Sequence, residues 1–327
     1  MRRREFIASF AAAASLPLAC VVAQQRRMPV VGFLNPASPA AYEGAVRAFE
    51  QGLAEGGFTV GRDVRIEYRW AHGQTSRLPD LAMELVRYPV DVLVPNAGMV
   101  TTLAAKAATS TIPIVFAVGS DPVKQGLVAS FNRPGGNATG LTIMTTDLEA
   151  KRVELLSMLA PRGTTIGVIV NPRNPDSVQQ IAEVEEAGRK LAASIRIERV
   201  SGAAEFAPAF ERLAANGVRL LALASDPMFR NQMQAHLSLA SRHGMFAIYQ
   251  YREFVTAGGL LSYGTSIDGV FKLHGHYTAR ILKGERPADL PVQQPTRFEL
   301  VLNLKTAKSL GLEFPATLLA IADEVIE

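Results

Sequence analysis

Seven segments, together rich in Asn, Ser and Asp, recur along this chain, each following an expected strand. They are Asn35-Pro36-Ala37-Ser38, Trp70-Ala71-His72-Gly73, Pro95-Asn96-Ala97-Gly98, Val118-Gly119-Ser120-Asp121-Pro122, Asn171-Pro172-Arg173-Asn174, Ser225-Asp226-Pro227 and Tyr249-Gln250-Tyr251. In an open α/β sheet a ligand sits beyond the carboxyl ends of the strands, where such segments would fall. Several of them lead into helix-like stretches, whose first free N–H groups favour an anionic ligand group. Asn, Asp and Ser also cap helices and form turns, which is a sufficient account of any one of them alone. Repetition at one strand end after another makes the set a candidate binding surface.

Catalytic signatures are missing. The chain has no GxSxG elbow, no GxxxxGKS phosphate loop, and no GxGxxG after the first apolar run, where VVGFLNPAS carries one glycine. GGNATG at residues 135–140 lies in a loop leading into a strand and reads as a turn. His274 and His276 stand two apart on an expected helix, face different sides, and have no Cys or acidic partner at metal-ligand spacing. The chain is therefore not expected to be an enzyme, nor to hold a metal or cofactor. Its basic residues are dispersed among acidic ones, which argues against nucleic acid as a partner.

The elements that must position those segments alternate along the sequence. Residues 29–34 form an apolar run, and Ala45, Phe49 and Leu53 then follow at helical spacing before Gly56-Gly57 stops the helix. The unit recurs as 64–68 with 78–86, 90–94 with 100–108, and 112–117 with a short helix near 123–130. After a Pro/Gly-rich break at 133–140 come a strand near 141–143 and a helix over 147–159 closed by Pro161. Strands at 165–170, 195–200, 219–224 and 246–249 then alternate with helices at 176–192, 206–215 and 228–242. Short apolar strands separated by helices imply right-handed βαβ units, and the count predicts an α/β fold of two doubly wound parallel-sheet lobes with four or five strands each.

With 327 residues, 48% hydrophobic and 20% charged, the chain is long enough for two such lobes and too apolar for disorder. Its net charge of +4 is concentrated at the amino terminus. Arg2, Arg3 and Arg4 precede an apolar, Ala-rich run over 6–19 and small residues up to Ala23, the order of an export signal. Arg3-Arg4-Glu5-Phe6-Ile7 resembles the twin-arginine pattern; a Sec signal with three arginines is the other reading. Ala19-Cys20 raises a lipoprotein anchor as an alternative, against which Pro17 stands where a lipobox has Leu. Loss of residues 1–23 would remove three Arg, one Glu and the single Cys, cutting the basic excess from four to two. No apolar stretch after residue 23 approaches the roughly 20 residues that span a bilayer.

Three stretches carry a family resemblance: residues 91–142 (DVLVPNAGMVTTLAAKAATSTIPIVFAVGSDPVKQGLVASFNRPGGNATGLT), 257–264 (AGGLLSYG) and 298–312 (FELVLNLKTAKSLGL). They resemble the ABC-transporter substrate-binding family whose better-known members bind tryptophan or other aromatic amino acids. The resemblance implies a type I periplasmic-binding-protein fold, with three crossovers hinged near 143–145, 261–264 and 293–296. Lobe 1 would comprise 28–143 with 264–293, and lobe 2 144–263 with 294–315, leaving 316–327 unassigned.

The implied function is capture of an amino acid or small aromatic carboxylate in the periplasm, with lobe closure presenting it to the permease. The carboxylate would meet Asn96, Gly98, Thr101, Ser120 and Asn171. Asp226 would accept the ammonium, with Asp121 as second choice, although Asp121 before Pro122 equally suits a helix cap. Trp70, Tyr249 and Tyr251 would wall an aromatic side chain, or else pack at the lobe edges. Asn35 and Ser38 complete the candidate set. Tryptophan-binding relatives tend to carry Thr-Pro-Ser where this chain has Pro95-Asn96-Ala97-Gly98-Met99. The expected partners are a small-molecule ligand and the membrane permease, with the protein itself monomeric. A periplasmic sensor module coupled to a signalling partner and an exported two-lobed enzyme are the alternatives.

Overall fold

The computed structural model describes residues 27–144, 148–294 and 298–327. The expected export signal, and Thr145, Pro295 and Thr296 of the expected hinges, lie outside them.

The first lobe is built on β1 (Val30–Asn35), β2 (Arg65–Trp70), β3 (Val92–Pro95), β4 (Ile114–Val118) and β5 (Ala138–Thr142), ordered β2-β1-β3-β4-β5 and parallel throughout. β1, β3, β4 and β5 are buried at every position, as strands covered by helices on both faces must be, whereas the edge strand β2 is only partly covered. α1 (Glu43–Glu55) lies on one face, and α2 (Leu78–Arg87) and α3 (Met99–Ala108) on the other. α1 turns Ala45, Phe49 and Leu53 inward, the spacing seen in the sequence.

The second lobe has α4 (Glu149–Ser157), β6 (Ile166–Val170), α5 (Ser177–Leu191), β7 (Ile195–Arg199), α6 (Phe206–Ala215), β8 (Leu220–Leu223), α7 (Pro227–Asn231), α8 (Met233–Arg242), β9 (Phe246–Tyr249), α9 (Arg252–Thr256) and β10 (Leu261–Gly264). α10 (Ile267–Leu282) then packs against α1 of the first lobe. The chain next runs beside β5, where Gln293 N donates to Gly140 O (3.0 Å) and Thr142 N to Gln293 O (2.9 Å). It ends in the second sheet with β11 (Glu299–Asn303), α11 (Leu304–Ser309), α12 (Ala316–Ala320) and β12 (Glu324–Ile326). That sheet has seven strands, β12-β11-β10-β9-β8-β6-β7, more than the four or five expected, with β11 antiparallel to β10. The additional strands are β10, which precedes α10, and β11 and β12 of the returning carboxyl-terminal chain, parallel to each other across α11 and α12.

Two local expectations change. Residues 123–130 form successive turns instead of a helix: Asp121 Oδ1 accepts from Val123 N (2.8 Å) and Lys124 N (3.2 Å), and Gly126 adopts φ +69°. The helix expected over 228–242 breaks at Gln232, where φ −106° and ψ +24° separate α7 from α8.

Candidate ligand-binding site

A cavity of about 420 Å³ lies between the carboxyl ends of the two sheets. Ligand cavities commonly occupy this size range and this position. Four groups of side chains give it its chemistry.

The first is the start of α3. Ala97 (φ +62°) and Gly98 (φ +105°) turn the chain sharply from β3 into the helix, and Gly98 faces open space where a Cβ would be. The first N–H groups of α3 are thereby presented to the cavity. Thr101 lines the same wall, wholly buried, and among the described residues its Oγ1 has no hydrogen-bond partner. Partial positive charge and an unused hydroxyl together suit an anion.

The second is Asp226, at the end of β8. Its carboxylate caps α7, Oδ1 accepting from Met228 N (2.7 Å), while Oδ2 accepts from the Asn171 and Asn174 amides (3.0 and 2.9 Å). Burial raises its pKa to about 6, against the opposing effect of those hydrogen bonds and with a further push from Asp176. Behind it Glu149 Oε1 accepts from Ser225 N (2.8 Å), and Arg152 donates to Ser225 Oγ (3.0 Å) and Tyr263 O (3.1 Å).

The third is Asp176, just before α5. It is buried, lines the cavity, and among the described residues its Oδ1 has no hydrogen-bond partner. Burial raises its pKa and the nearby Ser120 hydroxyl partly offsets the rise, although Ser120 Oγ, across the cleft, does not complete a hydrogen bond by distance and angle. Ser120 is a near neighbour of Asp176 and not its donor.

The fourth joins the lobes. Arg230 of α7 lies over the ring of Tyr42 of the first lobe, 4.6 Å from its centroid, and 5.4 Å from that of Tyr251. Tyr42 packs in turn on Phe271 of α10 (5.9 Å). Burial raises the pKa of both phenols, against the opposing charge of Arg230.

Of the residues expected from sequence, Gly98, Thr101, Asn171, Asp226 and Tyr251 line this cavity. The others do not. Asn35 and Asn96 are buried and turned onto their own backbone, Asn35 Oδ1 accepting from Ala37 N and Asn96 Nδ2 donating to Val94 O. Trp70 packs among Phe33, Tyr42 and Tyr68 in the first core, and Tyr249 stacks on Phe254 in the second (4.6 Å). Asp121 caps its own turn, Ser38 is half-buried outside the lining, and Ser120 is buried near Asp176 without lining the cavity. Sequence reasoning missed Tyr42, Asp176, Arg230 and Phe271. A signal existed for Asp176, five residues past Asn171 at a helix start, and for Arg230, one helical turn past the capping Asp226. Nothing distinguished Tyr42 and Phe271 from core aromatics.

A sequence profile of the ABC transporter substrate binding protein family matches residues 30–326. The chain belongs to this family. A tyrosine-binding protein of Clostridioides difficile is 25% identical over 270 residues, 82% of this chain and 77% of the relative. A conserved domain protein from Vibrio cholerae superposes with a TM-score of 0.84 at 26% identity, covering 91% of this chain and 100% of the other. An ABC domain from Streptococcus pneumonia in complex with L-Trp gives 0.82 at 24% identity, covering 91% and 99%. This substrate-binding protein therefore has the two-lobed type I periplasmic-binding fold and captures a small-molecule solute for an ABC transporter. Members of the family work outside the cytoplasm, and among the described residues no helix is long and apolar enough to cross a membrane.

Proposed function

We propose that the protein is a periplasmic receptor for an α-amino acid, exported by a twin-arginine signal at residues 1–23 and delivering its ligand to an ABC permease. The ligand carboxylate meets the start of α3, taking the free N–H groups beyond Gly98 and the Thr101 hydroxyl. Its ammonium faces Asp226, with Asp176 alongside. Tyr42, Tyr251, Phe271 and Met228 supply apolar wall for the side chain. The observation that carries the reading is one cavity holding, on opposite lobes, a helix start with an unpartnered buried hydroxyl and two buried carboxylates. That is the charge pattern a zwitterion requires. The tyrosine-binding relative and the L-Trp complex support the same ligand class.

Lobes joined by three connections close by a hinge motion, and the closed form is what a permease would read. The protein works as a monomer, because each copy carries both halves of the cavity. Thermal denaturation against a panel of amino acids and aromatic carboxylates tests the proposal. A ligand at a hundred times its Kd is expected to add about 2.7 kcal/mol of stability. A cooperatively folded protein whose melting temperature no member of the panel moves would overturn it.

A further inference from the structure

Arg230 is the one cavity cation that the zwitterion reading leaves unused among residues withdrawn from solvent. Its side chain is only 12% exposed, yet among the described residues its N–H groups make no hydrogen bond. Glu253 is its nearest carboxylate at 3.5 Å, beyond the 2.7–2.9 Å typical of charge-assisted bonds. The contrast with Arg152 is direct: that buried guanidinium donates to Glu149, Ser225 and Tyr263. A planar guanidinium held against two rings keeps its N–H edges for an in-plane acceptor.

Its place along the cavity is also informative. Arg230 sits on Tyr42, whose ring touches Trp70 of β2 and Phe271 of α10, on the β1–β2 side of the first sheet. Ser120 and its neighbour Asp176 mark the end of β4. β1 and β4 are separated by β3, so these two ends lie two strand spacings, roughly 10 Å, apart. The start of α3, following β3, falls between them. A head group held between the start of α3 and Asp176 therefore leaves its side chain to extend toward Arg230, one turn beyond Asp226 on α7.

We propose that Arg230 is a specificity-determining residue that donates to an oxygen at the tip of the ligand side chain, so that the substrate class is α-amino acids ending in a carboxylate or phenol. This rests on the amino-acid reading above.

Titration calorimetry with phenylalanine, tyrosine and 4-carboxyphenylalanine tests it, on the wild type, Arg230→Met and Glu253→Gln. The wild type is expected to bind at least one oxygen-tipped ligand about tenfold or more tighter than phenylalanine, the scale of one charge-assisted bond. Arg230→Met should bring the three within about threefold of one another, by weakening the oxygen-tipped ligands more than phenylalanine. Glu253→Gln, removing the competing charge, should favour 4-carboxyphenylalanine over tyrosine if the tip is anionic and leave their ratio unchanged if it is a phenol; either supports the shared chemistry. Equal weakening of all three by Arg230→Met, the mark of a mere latch between lobes, overturns the proposal, as does a wild type that does not discriminate. If Arg230→Met fails to fold, Arg230→Lys must narrow the spread, and an unchanged spread overturns it. Failure of all three to bind the wild type removes the amino-acid reading and this proposal with it, whereas binding without discrimination removes only this one.

Discussion

Glu149 and Arg152, one turn apart on α4, form a 2.8 Å ion pair from which both side chains are wholly withdrawn from solvent. Between them they hold the N–H and hydroxyl of Ser225 and the carbonyl of Tyr263. The pair thus ties the first turn of α4 to the end of β8, which carries Asp226, and to β10.

Removing one partner strands the other charge in the core. Arg152→Met is expected to cost about 3–5 kcal/mol, read as a lower denaturant midpoint, and adding Glu149→Gln should restore part of the loss. A single-variant cost below about 1 kcal/mol would show that the pair does not hold this junction together.

Asp226 sets a pH dependence whose sign follows from its environment. Its folded pKa, about 6, lies above the ordinary 3.8, so its favourable contribution is complete below pH 3.8 and is lost as pH rises through about 6. The stability of Asp226→Asn relative to wild type should improve by on the order of 3 kcal/mol between pH 3 and pH 8. Ammonium binding needs the ionised form, so ligand affinity at pH 5 should be about tenfold weaker than at pH 7. Urea midpoints and calorimetry at these pH values check both, and a flat profile in each would exclude Asp226 as the titrating group.

Thr101 separates stability from binding. Its buried hydroxyl has no partner, so Thr101→Val, nearly equal in volume, should leave the ligand-free protein as stable or about 1 kcal/mol more so. The same change should weaken ligand binding by about tenfold if the carboxylate accepts from that hydroxyl. Melting curves with and without ligand would reveal the opposed effects; unchanged affinity would move the carboxylate elsewhere.

The contact of α10 with α1 depends on bare backbone. A Cβ on Gly275 would stand 2.2 Å from Phe49 O and 2.7 Å from Leu53 N, so Gly275→Ala must push the helices apart. A loss of about 1–3 kcal/mol is expected, together with weaker binding, because Ile267, Val270 and Phe271 of α10 line the cavity. Gly269→Ala, whose Cβ would meet only Ser266 at 3.6 Å, is the near-neutral control. Equal melting temperatures for the two variants would contradict the close packing.

Much of the fold is legible in the sequence, because its signals are local. A fully buried strand such as VVGFLN and a helix turning Ala45, Phe49 and Leu53 to one side report their surroundings through hydrophobic period alone. The α/β class and the two lobes follow from that rhythm. The place of β11 and β12 does not, since β11 meets the second sheet antiparallel to β10, from across the whole of α10, and β12 follows β11 there.

The binding surface divides along the same line. Polar residues at strand ends placed Gly98, Thr101, Asn171, Asp226 and Tyr251 beside one cavity, because the carboxyl edge of a parallel sheet is where such residues must emerge. Sequence could not say which of them turn outward. Asn35 and Asn96 each commit one amide atom to their own chain, and Trp70 and Tyr249 enter the cores, through turns whose geometry depends on what packs above them. Arg230 and Tyr42 acquire their meaning only when the two lobes meet. One turn past a capping aspartate, Arg230 reads as a surface cation; across the cleft from Tyr42 it becomes an almost buried guanidinium facing the cavity. Local periodicity encodes the elements, while the charge pattern of the cleft arises from juxtaposition, a property of the folded chain that no stretch of it carries alone.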